Sequence, residues 1–70
     1  MAERLLNSLK DERARLGLTQ AELADRIGVS RKTINTVENG IFVPSTILAL
    51  KLAAALDRQV EDLFRIVPGE

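Results

Sequence analysis

Arg31, Lys32, Thr33, Asn35 and Thr36 crowd one short stretch in which only Ile34 and Val37 are apolar. Arg and Lys pair with O6 and N7 of guanine, Asn pairs with adenine, and Thr offers thymine a hydroxyl and a methyl. The chemistry these types suit together is the reading of base edges in a DNA major groove. If the stretch is helical, Arg31 and Lys32 stand in its first turn, where the macrodipole disfavours cations. Two adjacent cations placed against that preference point to an anionic partner. For Thr33 and Thr36, a DNA contact and an ordinary solvated helix face stay equally open.

Three further residues frame this stretch. Ser30 caps the helix start and is also placed to touch a phosphate. Gln20 opens the preceding helix, where its amide and the free backbone N–H groups can hold one DNA phosphate. Asn39, at the far end of the reading helix, is either a C-cap residue or a phosphate contact. Arg13 and Glu38 fall beside apolar positions and are expected to pair as a partly buried salt bridge joining the first and third helices, a structural role.

The elements that must position these residues can be read from caps and periodicity. From Thr19 to Gly40 the chain shows two short helices, each opened by a hydroxyl residue and closed by a glycine. Thr19 and Glu22 form a capping box, Leu23, Ala24 and Ile27 make the inward stripe, and Gly28 ends the second helix. Ser30 opens the third, which buries Ile34 and Val37 and stops at Asn39-Gly40. A turn this tight forces the two helices to cross steeply, which is how a small domain pushes one helix end into the major groove.

Around that pair, a first helix is expected from about Ala2 to Leu16, with Leu5, Leu9 and Leu16 near one face and Gly17 closing it. Ile41, Phe42, Val43 and Pro44 form a loop. Ser45 caps a fourth helix carrying Leu48, Leu52, Ala53 and Leu56 at helical spacing. After the polar turn Asp57, Arg58 and Gln59, a short helix from Val60 to Phe64 adds Leu63 and Phe64 to the core. Ile66 and Val67 suit a short strand. The fold class is all-α, with five helices in a single domain over 1–70.

Composition narrows the function. The chain has 70 residues, no Cys and no His, so disulfide staples and the commonest metal ligands are absent. No cluster for acid–base or nucleophilic work stands out, which argues against an enzyme. No cofactor and no small-molecule ligand is implied. No apolar run approaches the roughly 18 residues of a membrane span, and a cytoplasmic protein is expected, nucleoid-associated when bound to DNA.

Ten Lys and Arg balance ten Asp and Glu, whereas a DNA binder often carries a basic excess. Local distribution matters more. Arg26, Arg31 and Lys32 precede Thr36 without an intervening acid, while Asp57, Glu61 and Asp62 gather against Arg58 alone. If these lie on opposite faces, a neutral chain still presents a basic side.

The stretch RLGLTQAELADRIGVSRKTINTVENG, followed by PS, ALKLAAAL and VEDLF, resembles the lambda-repressor-like, Cro/C1-type (XRE family) helix-turn-helix regulators over Leu9 to Phe64. The resemblance implies a five-helix DNA-binding domain. It also implies that Gln20, Arg31, Lys32, Thr33, Thr36 and Asn39 face double-stranded DNA and that Arg13 and Glu38 form a salt bridge. Ile41 departs from the pattern, since a Lys often follows the Asn-Gly there. Ile47 replaces an often acidic position, and Arg58 an often apolar one.

Specific affinity then calls for a homodimer on a (pseudo)palindromic operator. Its interface is expected in the fourth and fifth helices and the tail. The tail either pairs with its symmetry mate as a strand next to Phe64 or covers the monomer core. The alternative is an antitoxin-like or accessory protein–protein module that keeps the fold; the zero net charge and the apolar 41–43 loop support it.

Overall fold

The computed structural model describes residues 3–69. Its elements are β1 (Arg4–Asn7), α1 (Leu9–Arg15), α2 (Gln20–Ile27), α3 (Arg31–Glu38), α4 (Thr46–Leu56), α5 (Val60–Leu63) and β2 (Phe64–Val67). Five helices thus surround one core, with a two-stranded antiparallel sheet joining the two ends of the described chain.

The sheet corrects two expectations. Residues 4–7 form a strand instead of the first half of a helix, and α1 begins only at Leu9; Ala2, where that helix was expected to start, lies outside the described residues. The physical reason is a break at Asn7-Ser8. The Asn7 carbonyl oxygen Oδ1 accepts from the Leu9 backbone N–H at 3.2 Å, and the Ser8 N–H donates to the Leu63 carbonyl at 2.9 Å. The backbone there is committed to non-helical partners, and strand pairing outweighs the helix propensity of Leu5 and Leu6.

The tail is indeed a strand, but within one chain its partner is β1: Leu5 faces Ile66 and Asn7 faces Phe64 in the register. The last helix stops at Leu63, and Phe64 opens β2 while still packing against the core.

The capping reading holds elsewhere. Thr19 Oγ1 accepts from the Glu22 N–H at 3.0 Å, and the Thr19 N–H donates to Glu22 Oε1 at 2.8 Å. Ser30 Oγ accepts from the Thr33 N–H at 3.2 Å, and Ser45 Oγ from Leu48 at 3.1 Å. Gly28 closes α2 in the left-handed region at φ 74°, which turns the chain within three residues into α3.

The core consists of Leu9, Leu18, Leu23, Ala24, Ile27, Ile34, Val37, Leu48, Leu52, Ala53, Leu56 and Leu63. Leu16 is not in it. It lies past the end of α1 with 40% of its surface exposed, and Leu18 fills the place inside.

Arg58, unexpected at its position, donates to Glu12 Oε1 at 3.0 Å, and Arg15 donates to the same oxygen at 2.7 Å. Arg15 also reaches the Leu56 carbonyl at 2.8 Å, which satisfies a free acceptor at the end of α4. Both guanidiniums hold the Glu12 carboxyl below its ordinary pKa.

Candidate nucleic-acid interface

α3 is a helix of eight residues with a divided surface. Ile34 and Val37 are fully enclosed, and they fix the helix against α2 and the core. Arg31, Lys32 and Asn39 are exposed, while Thr33, Asn35 and Thr36 are half-buried. Among the described residues neither Arg31 nor Lys32 has an ion-pair partner. Ser30 sits at the cap with its backbone extended, at the exposed start of the helix. The first turn therefore presents two unneutralised cations beside the free N–H groups of a helix start.

Gln20 is placed differently from the expectation of a free phosphate clamp. Its side chain lies between α2 and α3, with Nε2 donating to Glu38 Oε1 at 3.0 Å. Its Oε1 accepts from Asn35 Nδ2 at 3.5 Å, the outer limit of a hydrogen bond. Asn35 Oδ1 in turn accepts from Asn39 Nδ2 at 3.2 Å. Gln20, Asn35 and Asn39 thus form a rail of amides along α3, anchored at Glu38. The amide of Gln20 is engaged; its place at the first position of α2 still leaves a backbone N–H at that helix start.

Glu38 is the anchor because it is nearly enclosed. Arg13 Nε donates to its Oε2 at 2.8 Å and Arg13 Nη2 to its Oε1 at 3.2 Å, with 14% and 4% of the two side chains exposed. Burial pushes the Glu38 carboxyl up, but the hydrogen bonds from Arg13 and Gln20 outweigh it and leave its pKa below the ordinary value. Arg13 Nη1 also donates to the Leu18 carbonyl at 2.8 Å, so one guanidinium ties α1, the turn before α2 and α3 together. The expected bridge is present.

Two features of the interface were not read from the sequence. Asn7 Nδ2 donates to the Val37 carbonyl at 3.0 Å, so the terminal sheet grips the end of α3. Ile41 and Phe42 fold back on the helix, both donating their N–H groups to the Thr36 carbonyl, at 2.9 and 3.2 Å. The apolar loop therefore stands beside Thr33 and Thr36. Apolar types directly after Asn39-Gly40 were the available signal, but only the return of the backbone shows which face they meet.

The helix-turn-helix family profile matches residues 9–63, from the start of α1 to the end of α5. The chain belongs to the helix-turn-helix family. Its type is Cro/C1, or XRE, and HTH-type transcriptional regulators are among its curated relatives. An uncharacterised HTH-type regulator of Methanothermobacter thermautotrophicus is 51% identical over 57 residues, covering 80% of this chain and 83% of the relative. The regulator YgzD of Bacillus subtilis is 43% identical over 58 residues, covering 83% and 88%.

Among solved structures, the restriction-modification controller protein C.AhdI from Aeromonas hydrophila superposes with a TM-score of 0.73 at 37% identity, over 77% of this chain and 82% of that one. The transcriptional regulator VanUg superposes at 0.75 with 20% identity, over 99% and 92%, which speaks for the fold alone. Among the described residues no helix of this helix-turn-helix chain is long and apolar enough to cross a membrane.

Proposed function

We propose that this helix-turn-helix chain is a sequence-specific DNA-binding regulator that acts as a dimer on a (pseudo)palindromic operator. α3 reads the major groove. The observation that carries the proposal is the exposed first turn of α3, where Arg31 and Lys32 have no ion-pair partner among the described residues while Ile34 and Val37 lock the opposite face into the core. Arg31, Lys32, Thr33, Asn35 and Thr36 face base edges, and Ser30, Asn39 and the start of α2 at Gln20 lie toward phosphates. The protein works by occupancy in the cytoplasm, without catalysis, blocking or recruiting polymerase according to where the operator lies.

A single α3 spans too few base pairs for specific affinity, which favours a second copy. Exposed Ile47 and Leu50 on α4, and Ile66 on β2, supply apolar surface suited to such an interface. Selection of bound duplexes from a random pool tests both parts at once. Two inverted half-sites whose centres lie about one helical turn apart are expected. A pool with no enriched motif refutes sequence-specific reading, and a single unrepeated motif refutes the dimer.

The second reading, a protein–protein module, is favoured by the exposed loop, in which 76% of Ile41 and 69% of Val43 meet solvent. A salt titration of binding to random duplex separates the two, because counterion release makes a DNA binder weaken steeply as salt rises.

A further inference from the structure

A concavity of about 500 Å³ opens between β1 and the end of α3, with Arg4 on one wall and Asn39 and Gly40 on the other. The walls are tied to each other, because Asn7 Nδ2 of β1 donates to the Val37 carbonyl at 3.0 Å. Arg4 is exposed and has no ion-pair partner among the described residues. Lys10, in the first turn of α1, is exposed as well and stands near enough to Glu38 for the two charges to interact. The carboxylates on this side are Glu38, which Arg13 already pairs, and the exposed Glu3 next to Arg4. Arg4, Lys10 and Arg13 therefore outnumber the acids around the last turn of α3.

The length of α3 decides what this end meets. Eight residues make a helix about 12 Å long, and the major groove is about 12 Å wide. With the first turn at the base edges, the last turn emerges at the rim of the groove, against the phosphates. The remaining cations without an ion-pair partner among the described residues stand elsewhere. Arg26 and Lys51 line a groove between α2 and α4, and Arg65 shares a cleft with Glu61 and Asp62.

We propose that Arg4 and Lys10 form a second phosphate-binding edge of the DNA interface, by which β1 and the start of α1 hold the backbone where the end of α3 leaves the groove. The Arg4 guanidinium suits a phosphate through two parallel N–H donors, and Lys10 acts as a point charge. Such contacts carry no sequence information; they set how far α3 turns and sinks into the groove. The proposal rests on α3 being the reading helix, and its test keeps the two apart.

The probe is the duplex selected from a random pool by the wild-type chain, with one phosphate at a time replaced by an uncharged methylphosphonate. Binding is read by fluorescence anisotropy over a range of salt concentrations. Arg4→Gln and Lys10→Gln are each expected to reduce the slope of log affinity against log salt by about 0.9 per chain, the value for one phosphate. Affinity should fall about fivefold per half-site at about 0.15 M salt, with the selected motif unchanged. Each variant should also become insensitive to methylphosphonate at one position where the wild type is weakened.

Both positions are exposed, so the melting temperature should stay at its wild-type value. Lys51→Gln removes a charge from the groove between α2 and α4 and should leave slope and scan as they are in the wild type. Variants that keep the wild-type slope and scan, or a Lys51→Gln slope reduced as much as theirs, overturn the phosphate edge while leaving DNA reading in place. A pool that yields no motif overturns both.

Discussion

Replacing Arg13 by alanine should be the most damaging single change to a polar side chain in this fold. Glu38 has 4% of its side chain exposed and accepts three hydrogen bonds, two of them from Arg13. The variant leaves that carboxylate with Gln20 alone and frees the Leu18 carbonyl. Stranding one member of a fully buried pair costs about 3–5 kcal/mol, and an exposed pair is worth about 0–1 kcal/mol. Arg13 is 14% exposed and Gln20 remains, so about 2–4 kcal/mol is expected. A chain of this size is stabilised by about 3.5–10 kcal/mol in all, so the loss is a large share of it.

The pH dependence makes that estimate specific. In the wild type the folded Glu38 pKa lies below its unfolded value. Its contribution is therefore complete above the unfolded value of about 4.3 and is lost as pH falls through the folded value. In Arg13→Ala, burial acts without the opposing guanidinium and the folded pKa rises above the unfolded one. The penalty is then complete at neutral pH and relieved on acidification.

Urea unfolding of both proteins at about pH 7 and about pH 3.5 should show the difference between them shrinking as pH falls. Glu38→Gln, which keeps an acceptor and buries no charge, should cost less than Arg13→Ala at neutral pH. A gap that is equal at both pH values, or below about 1 kcal/mol at neutral pH, would refute the claim that a nearly buried carboxylate depends on Arg13.

Other consequences can be measured on the same material. Arg31→Ala should cost about 1–3 kcal/mol per half-site and relax selection at one base pair, as read by repeating the pool selection; intact operator binding would remove α3 from the reading role. Gln20→Ala should lower unfolding stability by about 1 kcal/mol, because it breaks the amide link to Glu38, while the backbone N–H at the start of α2 stays in place. Gly28→Ala meets no neighbouring atom and is opposed only by the backbone at φ 74°, so a loss of about 1–2 kcal/mol in denaturant unfolding is expected. Truncation after Leu63 removes β2 and leaves β1 unpaired, so the melting temperature should drop even in a monomer; an unchanged value would show the sheet to be idle.

The helix-turn-helix was legible because its signals are local. Thr19, Ser30 and Ser45 each cap the helix they precede through their own hydroxyl, and Glu22 closes a box only three residues away. Arg13 and Glu38 were legible from their apolar neighbours. β1 was not, because Leu5 and Leu9 repeat at helical spacing and the force that makes residues 4–7 a strand comes from Phe64–Val67, at the other end of the chain. Asn7-Ser8 ahead of Asp11 and Glu12 is a helix-start signal that the expectation of one helix from Ala2 to Leu16 does not use. At the interface, residue types gave the candidates, but the hydroxyl bonds of Thr33 and Thr36 depend on side-chain placement. Gln20, suited by type to a free phosphate contact, is drawn inward by Glu38.

The neutral charge balance takes on a different sense once the ion pairs are placed. Among the described residues, three bridges take up Arg13, Arg15 and Arg58 but only Glu12 and Glu38, so pairing consumes more cations than acids. The surface outside the bridges then has no basic excess with which to draw in a polyanion from a distance. Affinity for DNA, in this reading, has to arise at short range. It comes, on the proposed function, from the two cations at the start of α3 and from uncharged contacts such as those of Asn35 and Asn39. Such a chain would hold random duplex weakly, through few phosphate contacts, and rely on discrimination between base pairs. On the proposed function, Ile41, exposed where a Lys often stands, leaves out a phosphate contact that would strengthen binding to every sequence alike.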